Sequence, residues 1–429
     1  MINWLLVLSL AIIMMITFYS NQKCFLSPPF IVSSVMFITA LLLAFNTDYW
    51  GYVISIDTYY IIVLAVLFFS FGHLLTYKSS ATLFSNHSVS IVNYELKQLK
   101  KKHYYLLMIV SVVLFLAFAY HQYSNASSIG MSGSLSQIVI ANRWYVENKS
   151  GNEFFKLIFV IHRVIAYFSV FVFFYNLIIR KRKEHLLLTI IIVIPYFFCC
   201  ALSSNRSDVI AAIGFFLFII MFLVYYKSNW LTRKENKRLI FFVIILMVFG
   251  VFLFRLLGYL TGKSTLSNAY DNVSLYAGSS FISFDIYLQN KGTSFPLGDK
   301  PLLFRGIYSI FNMIGFNIDA HAFYKPHQYW GRWGANVYSS LLEYHMKFGF
   351  IGLLVMELLI GSFYGIFWKK MRNNHITWPS IIILGELFFY YLCMYSIDER
   401  LFSQFFTLTS FVEVFFILFL YKRVFTIKK

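Results

Sequence analysis

The chain has 429 residues and a formal net charge of +18, yet only 13% of its residues are charged and 59% are hydrophobic. A soluble domain is roughly 25% charged, so a soluble globular fold is excluded. Repeated apolar runs of about 17–23 residues match the hydrocarbon core of a bilayer, and the apolar–polar alternation of a membrane β-barrel is absent. The composition therefore predicts an all-α polytopic membrane protein. The positive charge falls in short loops between apolar runs, which reads as membrane orientation and anionic-lipid contact and not as nucleic-acid binding.

The opening Met1-Ile2-Asn3-Trp4 carries no basic segment, and no small-residue cleavage site follows. The first apolar run is expected to be a retained helix. Eleven runs follow one another near 3–20, 30–46, 58–76, 104–121, 157–179, 186–203, 208–226, 239–256, 348–367, 379–396 and 402–421. Every second connection is basic: Lys97 to Lys102, Arg180 to Lys183, Arg233 to Arg238, Lys369 to Arg372, and Lys422 to Lys429. The positive-inside rule places these in the cytoplasm, with the N-terminus outside and the C-terminus inside. One integral membrane domain of about eleven helices is expected over 1–429. Residues 257–347 form its one large extracytoplasmic loop. Within that loop, Pro301 to Phe316 sets Leu303, Ile307, Ile310, Phe311 and Ile314 at helical spacing, an amphipathic stripe suited to a bilayer surface. The spacing over Gly334 to Lys347 places Asn336, Ser340, Glu343 and Lys347 on one helical face. Asp319 to Trp333 between them reads as irregular.

The four cysteines, Cys24, Cys199, Cys200 and Cys393, lie in or near apolar runs. They show neither a disulfide framework nor metal-ligand spacing, so no metal or cofactor is expected. Walker A, GxGxxG and HExxH sequences are missing, which weighs against an ATP-driven pump. The chain offers outward-facing cations instead. Ser203-Ser204-Asn205-Arg206-Ser207-Asp208 is a short outer turn at the start of a helix. A helix N-terminus beside an arginine makes an anion site, and a guanidinium suits phosphate; a helix cap with Arg206 paired to Asp208 is the structural alternative. Arg143, before Trp144 and Tyr145, suits the phosphate of a lipid or of a substrate. Arg163 in the fifth run needs a polar cavity or must snorkel, and Arg255 at the end of the eighth could do either. In the large loop His321, His327, Arg332 and Glu343 are candidates, although Glu343 could simply pair with Lys347 four residues on. Tyr324 to Trp333 mixes aromatic faces with hydrogen-bonding groups, which suits sugar rings. Glu357, Glu386 and Glu413 lie inside apolar runs, as an ion path or as structural partners for buried arginines.

As a set these features resemble the Wzy-type oligosaccharide repeat unit polymerases of O-antigen and capsule synthesis. Three stretches carry the resemblance locally: Ser203 to Asp208, Tyr276 to Leu288, and Asn336 to Tyr344 leading into Phe348-Gly349-Phe350-Ile351-Gly352. Family members often have an acid just before the Phe-Gly pair, where this chain has Lys347. The resemblance implies a metal-independent glycosyltransferase of the bacterial plasma membrane. It would join undecaprenyl-pyrophosphate-linked oligosaccharides on the outer face, alongside a flippase and a chain-length regulator. Arg206, Arg143, Arg332 and Arg255 are then expected to hold pyrophosphate. His321 or His327, and after them Glu343, would serve as base. Asp285, Tyr324, Trp330 and Asn336 would contact sugar. An O-antigen ligase-like enzyme shares donor and topology, and a flippase of the same lipid is the alternative from another class. The lack of two similar halves weighs against the latter.

Overall fold

The computed structural model describes residues 1–78, 99–148, 153–182, 185–203, 206–230, 235–237, 239–245, 248, 250, 252, 258, 269–290, 303–316, 318, 325, 327–373 and 376–424. In chain order the helices are α1 (Ile2–Ser20), α2 (Pro28–Phe45), α3 (Thr47–Trp50), α4 (Ile56–Lys78), α5 (Lys101–Ser127), α6 (Leu135–Asn148), α7 (Glu153–Ile178), α8 (Leu186–Leu202), α9 (Arg206–Lys227), α10 (Ala269–Gly278), α11 (Ser280–Gln289), α12 (Arg305–Met313), α13 (Ser340–Arg372), α14 (Trp378–Ile383), α15 (Tyr390–Met394) and α16 (Leu408–Val424). π-Helical turns occupy Leu384–Phe389 and Leu401–Phe405.

Among the described residues, seven helices are long and apolar enough to cross a bilayer: α1, α2, α4, α5, α7, α9 and α13. Leu186–Leu202 and Trp378–Met394 are shorter apolar helices. The predicted run at 239–256 lies partly outside the described residues. On α1 the outward residues Leu8, Ile12 and Ile16 are more than half exposed while Leu6, Leu10 and Ile13 are buried. A helix apolar on both faces needs lipid on the outer one. The protein is an α-helical, multi-pass membrane protein.

The chain forms two compact units: one of residues 1–89, 270–376 and 391–408, the other of 90–269, 377–390 and 409–429. In unit one, α1 and α2 form an antiparallel hairpin joined by the hydroxyls of Thr17 and Ser33, 3.1 Å apart. Asn3 donates to Thr47 at 3.0 Å and to the Tyr52 carbonyl at 3.1 Å. α4 and α13 run side by side, and their backbones approach closely at glycines. A Cβ added at Gly361 would stand 2.0 Å from the Phe69 carbonyl oxygen, and one at Gly72 2.1 Å from that of Leu358. Small residues permit this backbone approach, the usual route to tight helix packing in lipid. Arg372 donates to Gln22 in the α1–α2 turn, so that turn, with Lys23, lies with the basic end of α13 (Lys369, Lys370, Arg372). The opposite end of unit one carries Asn3, Tyr52 and Asp285.

Two expectations for the polar loop change. The stretch predicted as irregular ends in an antiparallel hairpin, β1 (Gln328–Trp330) and β2 (Trp333–Ala335), with Trp330 opposite Trp333. The helix expected from Gly334 begins only at Ser340, with Ser339 extended before it, so Asn336 does not share a helical face with Glu343. The amphipathic helix expected over 301–316 forms as α12. The Phe-Gly pair also gains a physical role. Gly349 has φ 66° and ψ −171° inside α13, a conformation essentially restricted to glycine. It kinks the buried segment Ser340–Tyr344 away from the span that follows.

In unit two, Tyr167 stacks on Phe215 with ring centroids 4.3 Å apart, and Trp378 meets Tyr175 and Tyr226 edge-on at 5.1 and 5.3 Å. The π-turn at Leu384–Phe389 brings Gly385 so close to Phe218 that a Cβ there would stand 2.6 Å from its ring.

Candidate functional site

Unit one holds a charge cluster where α13 begins, in which Glu343 is buried and Lys325, Asp398 and Arg400 are half-buried. The Lys325 ammonium donates to Glu343 at 2.7 Å and to Asp398 at 2.6 Å, and Arg400 meets the other Asp398 oxygen at 2.9 Å. The turn closing α15 positions Asp398, whose amide donates to the Met394 carbonyl at 2.9 Å. The Ser340 amide donates to the Tyr395 carbonyl at 3.1 Å and ties the start of α13 to that turn. Burial alone would lower the Lys325 pKa, but Asp398 and Glu343 hold it above the ordinary lysine value. For Asp398, burial pushes upward and is outweighed by Lys325 and Arg400, which hold the carboxyl below its usual range.

Glu399, next in the chain, accepts from the amides of Phe402 and Ser403 at 2.8 and 2.9 Å and from the Tyr344 hydroxyl at 3.2 Å. It thereby caps the π-turn. Burial, and then the nearby Glu343, push its pKa up to about 7. Deeper in, the Tyr395 hydroxyl donates to Glu357. Ser340, Tyr344, Tyr364, Tyr391 and Tyr395 line a small cavity with Asp398 to Arg400 on its wall; its volume of ≈ 10 Å³ holds about one water. Glu343 Oε2 is buried with no hydrogen-bond donor among the described residues. The cluster therefore combines two cations, which can meet an anion, with a carboxylate oxygen still open to accept a proton.

The structure redistributes the residues singled out from sequence. Glu343 is in the cluster, paired with Lys325 and not with Lys347. Arg332 and His327 lie exposed on the hairpin: Arg332 covers the rings of Tyr49 and Trp333 at 5.6 and 5.1 Å, and His327 stacks on Tyr329 at 6.1 Å. Asn336 is exposed. Trp330 is buried and meets Tyr52 edge-on at 6.4 Å, so it offers no open platform to a sugar. Asp285 is fully buried. Its carboxylate accepts from the Tyr52 hydroxyl and Gln289 amide at 2.7 Å, from Thr58 at 2.6 Å, and from both the amide and the hydroxyl of Ser55. These five donors fill it, and it acts as a brace between α11 and the start of α4. His321, Tyr324 and Arg255, and the side chains of Arg143 and Arg206, lie outside the described residues.

Sequence reasoning passed over Lys325, Asp398 and Arg400 as site residues. The available signal was the charged triplet Asp398-Glu399-Arg400 closing an apolar run. In unit two, Arg163 does not snorkel. It meets Glu413, Glu386 at 3.4 Å and Asp208 at 3.8 Å, so two of the three carboxylates inside apolar runs partner an arginine.

Comparison with models of known protein families, with characterised proteins and with solved structures finds no match. Fold and site define a multi-pass α-helical membrane protein with a partly buried, tyrosine-lined charge cluster at one end of unit one.

Proposed function

We propose that the protein is a metal-independent glycosyltransferase that joins undecaprenyl-pyrophosphate-linked oligosaccharide repeat units, a glycan polymerase of the bacterial plasma membrane. The observation that carries this reading is the interleaving of Lys325 and Arg400 with Glu343 and Asp398 beside a tyrosine-lined cavity. The cluster belongs to the start of α13, whose far end bears Lys369, Lys370 and Arg372. With those residues cytoplasmic by the positive-inside rule, the cluster faces outward, where nucleotide donors are absent and lipid-linked sugars are the energised substrates.

The chemistry requires two kinds of group. A pyrophosphate leaving group needs charge stabilisation, which Lys325 and Arg400 supply by exchanging carboxylate for phosphate oxygens. The acceptor hydroxyl needs a base within hydrogen-bond reach, and Glu343 Oε2 is the open acceptor. Glu343 takes the hydroxyl proton, the acceptor oxygen bonds to the anomeric carbon, and the bond from that carbon to pyrophosphate breaks. Undecaprenyl pyrophosphate leaves with the electron pair. Geometry thus favours Glu343 over His327, which lies exposed on the hairpin, while Arg332 and the tyrosines suit the sugar chains.

The test is incubation of purified protein in nanodiscs with lipid-linked repeat units. A ladder of longer glycans, abolished in Arg400→Ala and Glu343→Gln and retained in His327→Ala, is the expected result. Transfer of a glycan to a different lipid acceptor would make it a ligase. Unchanged glycan length with lipid moved between leaflets would replace the reading with a flippase.

A further inference from the structure

The Arg163 group in unit two takes no part in the chemistry above. Arg163 Nε meets Glu386, and its neighbouring terminal nitrogen meets Glu413. The two carboxylates therefore stand side by side on one guanidinium. Both are buried, Glu413 at 1% exposure and Glu386 at 6%. The second oxygen of each, Oε2, is buried with no hydrogen-bond donor among the described residues. Asp208 approaches a third nitrogen of the same guanidinium.

Among the described residues the charges do not balance. One guanidinium faces three carboxylates. Arg206 opens α9 two residues before Asp208, and even if it is assigned wholly to Asp208, Glu386 and Glu413 still share a single positive charge. Among the described residues, the other titratable groups facing Arg163 are Tyr167 on α7 and Tyr196 and Cys200 on α8, none of them a cation. His162 turns the other way, bonded to Ser111 at 2.8 Å and Cys199 at 3.4 Å. Adjacent buried carboxylates do not both ionise without a compensating charge. Glu386 also sits in the π-turn, a distortion frequent at functional sites.

We propose that Glu386 and Glu413, held on Arg163, form a site for one small monovalent cation, a proton or a sodium ion, inside the membrane-spanning part of unit two. The positive charge occupies the open Oε2 atoms. When it is a proton, one carboxylate becomes a neutral acid that donates to the other.

Infrared difference spectroscopy on the full-length protein in nanodiscs, stepped between mildly acidic and alkaline buffer in choline chloride, reads the site directly. A carboxylic-acid stretch that shifts with carboxyl-¹³C glutamate is expected. It must persist in Glu343→Gln, Glu357→Gln and Glu399→Gln, which remove the other buried glutamates among the described residues, and disappear in Glu413→Gln or Glu386→Gln. If sodium in place of choline suppresses the wild-type band, the natural occupant is sodium; an unchanged band assigns a proton. A wild-type spectrum with no such band and no sodium-dependent carboxylate change overturns the proposal, as does a band that vanishes in Glu343→Gln, Glu357→Gln or Glu399→Gln. The wild-type and unit-one measurements decide the matter even if the unit-two variants fail to fold.

Discussion

Replacing Lys325 with methionine keeps the length of the side chain and removes its charge. The ammonium is bonded to Glu343 and Asp398, but the two do not lose equally. Asp398 retains Arg400 at 2.9 Å, whereas Glu343, with 4% of its side chain exposed, is left without its cation. Removing one partner of a buried pair costs about 3–5 kcal/mol, because a charge stays buried and uncompensated. Lys325→Met should therefore lose about that much stability. Adding Glu343→Gln removes the stranded charge and should recover about 2 kcal/mol, a coupling typical of residues in contact. Reversible unfolding of the single and double variants in detergent micelles measures both quantities. A loss below about 1 kcal/mol, the range of solvent-exposed pairs, would refute the reasoning. So would a double variant whose loss is the simple sum of the two singles.

Three further outcomes follow from the geometry. Gly361→Ala should destabilise by about 1–3 kcal/mol by forcing α4 and α13 apart, whereas Gly214→Ala on α9, where an added Cβ meets nothing within 4 Å, should be neutral or gain up to about 1 kcal/mol; thermal unfolding compares the two. Gly349→Ala should cost about 1–3 kcal/mol through backbone strain and, by tilting Ser340–Tyr344, should also reduce glycan synthesis in the ladder assay. Glu399 carries a pKa raised from 4.5 to about 7, so the folded state holds its proton more tightly than the unfolded chain does. Its contribution to stability is full below pH 4.5 and is lost as pH rises through about 7; that fall, followed by melting temperature against pH, should flatten in Glu399→Gln.

Much of the architecture was legible because hydropathy is a local property. Runs such as 3–20 and 58–76 became α1 and α4 with shifts of a few residues, and the stripe over 301–316 became α12. Gln22 in the α1–α2 turn meets Arg372 at the end of α13. Glu343 was legible as a candidate because an acid stands out in a short segment before an apolar run. The β-hairpin was not, because β1 and β2 are three residues each and carry too little alternation to register against an aromatic-rich background.

Sequence by itself determined that this chain crosses the membrane many times and that its basic residues cluster in alternate loops. Composition and run length suffice for that, since lipid leaves an apolar segment of this length little choice but helix. Tertiary structure alone decided which charges are neutralised. Lys325 and Asp398 are 73 residues apart, Arg163 and Glu413 lie in different helices, and four of the five donors to Asp285 come from α4 and the segment before it. A buried charge takes whichever opposite charge packing brings within hydrogen-bond reach, and no local spacing in the sequence encodes that choice.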